Sequence, residues 1–85
     1  MINTYDNINR RSMIMTTQEL EFAIFCIESV AQEQKTDAKV IYQALTQKSN
    51  LLYDYVIPCY DSLHTQSKEY IVDDLIHIMQ ERGVL

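Results

Sequence analysis

From Thr17 to Gln34 apolar residues recur at intervals of three and four, so that Leu20, Ala23, Ile24, Ile27, Val30 and Ala31 share one helical face. Phe22, Phe25 and Cys26 widen that stripe, which places this helix at the centre of the core. Thr16 and Glu19 stand at capping-box spacing ahead of it, and Met15 with Leu20 fits a hydrophobic staple across the cap. The segment "KTDAK" breaks the pattern, and Thr36 or Asp37 then caps a second helix. Its apolar edge is Val40, Ile41, Ala44 and Leu45. After "TQKSN", Ser49 or Asn50 caps a short third helix carrying Leu51, Leu52, Tyr55 and Val56. Pro58 disfavours helical geometry at Ile57, so that helix is expected to stop there.

In "YDSLH", Tyr60 and Leu63 are expected to point inward while Asp61 and His64 decorate the surface. The last helix begins after Thr65 or Ser67 and turns Ile71, Val72, Leu75, Ile76 and Met79 toward the core. Gly83 stands at a left-handed C-terminal cap, with Arg82 against the negative helix end. The pattern predicts an all-α fold, a compact bundle of four to five short helices with an irregular N-terminal arm. Residues 16–85 form the single helical domain, and the polar, asparagine-rich residues 1–15 form a flexible arm. Met13 and Met15 leave an internal start open.

Composition agrees with this reading. The chain has 85 residues, enough for one core. A chain of this size buries about 64% of the surface it exposes when unfolded, which leaves little to enclose a deep substrate cavity. One Gly and one Pro disfavour hairpins and glycine-rich phosphate loops. The net charge of −5 comes without a basic patch. Arg10, Arg11 and Arg82 lie near the ends and the lysines are scattered, so nucleic acid is not an expected partner. Cys26 and Cys59 imply no disulfide framework, and a cytoplasmic location follows. The longest unbroken apolar run, Phe22–Ile27, is far too short to span a membrane.

Reactive side chains concentrate in "IPCYDSLHTQSKEYIVDD", Ile57 to Asp74. Glu69, Asp73 and His77 share a helix face at metal-ligand spacing, yet a metal site needs further ligands, and a solvated outer face is the favoured reading. Cys59 and His64 suggest a thiol–imidazole pair, but no orienting third group is evident. His64 alone suits a structural bond to a backbone carbonyl in a turn. The tyrosines carry the better signal, because phenol rings at core edges recur in protein interfaces.

The segments "EFAIFCIESVA", "VIYQALTQKSNLL" and "DYVIPCYDSLHTQSKEYIVDDLIHIM" resemble a family of short bacterial proteins known only as a domain of unknown function. The resemblance covers Thr17–Val84, and "YDSLHTQSKEYIVDD" is its most specific part. Relatives often carry glycine where this chain has Ser67, which can instead cap the last helix. Members of the family are often encoded beside proteins resembling ADP-ribosyltransferases. The resemblance thus implies an antitoxin-like partner of such an enzyme, without catalysis of its own.

The leading expectation is a noncatalytic protein-interaction module, without cofactor or metal. Its partner-binding residues are Tyr53, Tyr55, Tyr60, Asp61, His64, Gln66 and Tyr70. Self-association as a homodimer is a further expectation, since a small bundle gains by covering excess apolar surface. The alternatives are a small metal- or thiol-dependent enzyme using His64, Glu69, Asp73 and His77, and a regulator using the second and third helices as a helix-turn-helix.

Overall fold

The computed structural model describes residues 15–85, and among them every regular element is helical. The elements are α1 (Thr17–Gln34), α2 (Ala38–Thr46), α3 (Leu52–Val56), α4 (Tyr60–Leu63) and α5 (Lys68–Glu81). All but Met15 of the expected arm lies outside the described residues. No helix among the described residues is long and apolar enough to cross a membrane.

Side-chain caps set most of the boundaries. The Thr16 hydroxyl accepts from the Glu19 amide at 3.1 Å, and the Glu19 carboxylate accepts from the Thr16 amide at 3.0 Å, a complete capping box. Asp37 caps α2 by accepting from the Lys39 amide at 2.9 Å. Ser67 caps α5, its hydroxyl accepting from the Tyr70 amide at 3.1 Å. At the far end Gly83 takes the left-handed φ of 71°, and the Val84 amide reaches back to the Met79 carbonyl at 3.0 Å. α1 ends in the same way without glycine. Lys35 is left-handed at φ 56°, and the Thr36 amide donates to the Ala31 carbonyl at 3.0 Å.

The third helix departs from expectation. It is wound as a π-helix, the Ile57 amide donating to the Leu52 carbonyl at 3.0 Å. Neither Ser49 nor Asn50 is its N-cap in the usual sense. Ser49 donates to the Ala44 carbonyl and accepts from the Leu51 amide, joining the end of α2 to the next turn. Asn50 offers its carbonyl to the Asp54 amide and its side-chain amide to the Asp54 carboxylate. Ile57 keeps helical dihedrals of −70° and −48° although Pro58 follows. A π-turn is wider than an α-turn, and we attribute the tolerance of the proline ring to that extra room. The Cys59 amide then bonds the Tyr55 carbonyl at 3.0 Å, and the path continues into α4.

The core gathers Phe22, Cys26 and Val30 of α1, Ile41 and Leu45 of α2, Leu51, Leu52 and Val56 around α3, and Leu75 and Met79 of α5. The buried face of α1 is therefore turned from the expected one. Leu20 is 49% and Ile24 46% exposed, so neither packs inside, and the Met15–Leu20 staple does not bury Leu20. Ala23, Cys26 and Ser29 are small enough for neighbouring helices to come close, and the larger Leu20 and Ile24 are left at the rim. Val40 is likewise 46% exposed, leaving Ile41, Ala44 and Leu45 as the buried edge of α2. In α5, Ile71, Val72, Leu75 and Met79 are buried and Ile76 is half-buried, as the periodicity predicts.

Candidate functional surface

α4 is a single turn, held on the core by buried Leu63. Opposite Leu63 the turn presents Asp61 and His64 to solvent. The Nδ1 of His64 lies 2.7 Å from the Tyr60 carbonyl, which can only accept, so Nδ1 carries a proton. Nε2 is thereby left as the outward atom of the ring. The His64 imidazole stacks on Tyr60, with centroids 4.3 Å apart and planes 6° from parallel. Tyr60 in turn meets Phe22 edge-on at 5.4 Å, and Phe22 stacks at 6.3 Å with Phe25. Four rings from α1 and α4 thus form one continuous run. Phe22 in the middle is buried, while His64 at one end and Phe25 at the other are exposed.

The remaining expected residues divide into two groups. Tyr53 and Tyr55 are half-buried and pack against the core. The Tyr55 hydroxyl donates to a carboxylate oxygen of Asp74 on α5. Burial above all, then the Asp74 carboxylate, pushes the Tyr55 phenol well above its ordinary range, so the ring stays neutral. Tyr55 is therefore a brace between α3 and α5. Gln66 and Tyr70 are exposed, Tyr70 by 51%.

The catalytic alternatives do not come together as sites. No hydrogen bond joins Cys59 to His64, whose Nδ1 is committed to Tyr60. Cys26 is fully buried, and desolvation pushes its thiol up to about 12. Glu69 and Asp73 line a groove shared with α1, whereas His77 pairs with Glu81 at 3.1 Å. Among the described residues no group of three or more His, Cys, Asp and Glu side chains is placed to hold a metal. The helix-turn-helix alternative assigned its second helix to α3, which is a five-residue π-turn.

Two features escaped sequence reasoning. Along the sequence Phe22 and Phe25 only widen the core stripe, because a one-dimensional pattern cannot place α4 beside α1. Asp74 was not singled out, although its position three residues after Ile71 puts a carboxylate at the edge of an apolar face, where it needs a donor. Compared with protein families, residues 21–82 match the model described as "Protein of unknown function (DUF3791)". No curated protein and no solved structure matches the chain.

Proposed function

The chain belongs to the DUF3791 family of proteins of unknown function, and from its surface we propose that it is a noncatalytic interaction module that docks onto another protein. The observation that carries this reading is the ring run Phe25–Phe22–Tyr60–His64. It offers apolar and polar contact on a frame already fixed by packing, so little side-chain entropy is lost on binding. Asp61 and Gln66 stand at its rim together with the outward Nε2 of His64. Exposed Tyr70 is a further candidate contact, whereas half-buried Tyr53 and Tyr55 pack against the core.

The partner we propose is a co-encoded enzyme resembling ADP-ribosyltransferases, which this acidic chain would restrain in the cytoplasm as an antitoxin does. An acidic helical packet complements the basic lining of a cleft that accepts a dinucleotide phosphate. Co-purification of the two folded products tests the reading. Phe25→Ala together with His64→Ala is expected to weaken the complex at least tenfold while the fold is retained. Absence of any complex at micromolar concentration would sink the proposal.

A further inference from the structure

Beyond the ring run, we propose that the groove between α1 and α5 is a binding site for the guanidinium of an arginine presented by another protein. The groove has a volume of about 420 Å³. Its α1 wall is Ser29, Gln32 and Glu33, and its α5 wall carries Glu69 and Asp73. Val72 supplies the apolar patch on which the methylene stem of a long side chain can lie.

The acidic residues would mean little by themselves, since such clusters are commonly just solvated. Ser29 adds a separate indication. It is 95% buried, the one buried polar residue among the described residues, yet its hydroxyl makes no hydrogen bond to any of them. No fully enclosed side-chain oxygen or nitrogen is left without a partner. The hydroxyl of Ser29 must therefore spend its small remaining exposure on the groove it lines. A nearly buried hydroxyl on the wall of an acidic groove, with no partner among the described residues, can accept from a donor that arrives from outside.

Charge and geometry select the donor. Lys68, the cation at the groove's edge, lies within ion-pair distance of none of the three carboxylates, so they are not neutralised from within. The carboxylates of Glu33, Glu69 and Asp73 dominate the lining, and the Ser29 hydroxyl and Gln32 amide group can each accept as well. A guanidinium brings five donors in a planar fork, against three on an ammonium, and it sheds water more readily. None of Phe25, Phe22, Tyr60 and His64 lines this groove, so it does not depend on the reading of that surface.

The test is an amide-shift NMR titration of the full chain with N-acetyl-arginine methylamide. The lysine analogue and the neutral citrulline analogue serve as controls. Saturable shifts confined to residues 29–33 and 68–73 are expected with arginine, weaker ones with lysine and none with citrulline. Glu69→Gln with Asp73→Asn should weaken arginine binding by about fivefold or more. Both positions are exposed, so folding is not at risk. Lys68→Gln should strengthen binding, and Ser29→Ala should weaken it without altering the thermal midpoint by more than a few degrees. Shifts spread over all acidic positions, equal binding of citrulline, or lysine bound as tightly as arginine would each overturn the assignment. Because Phe25 and His64 resonances report the other surface, failure here and failure there are separately visible.

Discussion

The hydroxyl of Tyr55 donates to the carboxylate of Asp74, 19 residues further along the chain. The bond ties the π-wound segment to the last helix. Tyr55→Phe removes one hydrogen bond but no ring, and half-buried Asp74 can take up water in its place. A loss of about 1.5 kcal/mol is expected, at the low end for a bond to a charged group. Urea unfolding measures it, and a double-mutant cycle with Asp74→Ala should show coupling between the two changes. Strict additivity would contradict the bond.

The same pair has an alkaline signature. Burial and the nearby carboxylate raise the folded-state pKa of Tyr55, whereas an unfolded tyrosine titrates near about 10. Above that pH the native chain keeps a proton that the unfolded chain has lost. The contribution of Tyr55 is therefore constant below about pH 10 and is lost as pH climbs toward the folded value. Wild type should lose more urea resistance than Tyr55→Phe between about pH 9 and about pH 11. Parallel loss in both proteins would refute this.

The two thiols should separate cleanly. Cys26 is enclosed and its thiol is pushed up to about 12, so it has neither access nor thiolate at neutral pH. Cys59 is only half-buried. A disulfide reagent at pH about 8 should modify Cys59 in the native protein, and Cys26 only at the rate of global unfolding. Equal rates for both would mean that α1 opens locally.

Two left-handed positions invite opposite substitutions. Lys35 adopts φ 56° with a side chain that makes this conformation costly, so Lys35→Gly should stabilise the protein by about 1 kcal/mol. Gly83 has φ 71°, and nothing lies within 4 Å of where a Cβ would stand. Gly83→Ala should destabilise by about 1 kcal/mol through backbone strain alone. Thermal midpoints moving the same way in both variants would contradict the cap geometry.

How much of this was legible from residues alone depends on the range of the cause. The caps at Thr16, Asp37 and Ser67 and the glycine at Gly83 are local chemistry, and sequence places them well. The buried side of α5 follows from its period. The buried side of α1 does not, because apolar residues occupy most of its circumference and only its neighbours decide between Phe22 and Ile24. Pro58 marks the end of α3 correctly, since the element closes at Val56 with Ile57 as its C-cap, but the π winding before it and the helical dihedrals of Ile57 carry no signal in the sequence. For the surface, Tyr60, Asp61 and His64 could be read from one turn of sequence. Phe22 and Phe25 are neighbours by helix spacing, but the meeting of Tyr60 with Phe22, and the groove that Ser29 shares with Asp73, depend on long-range packing that no spacing encodes.

Only Lys35–Asp37 separate α1 from α2, so closing that pair costs little chain entropy. During synthesis on the ribosome, both helices have left the exit tunnel well before Leu75 and Met79, which complete the core from the other end of the sequence. Without α5, Cys26, Val30 and Ile41 would lack part of their cover, and the α1–α2 hairpin would expose apolar surface. A chain cut short before Ile71 would lack Ile71, Val72, Leu75 and Met79, and its uncovered α1–α2 pair would be open to chaperones and proteases.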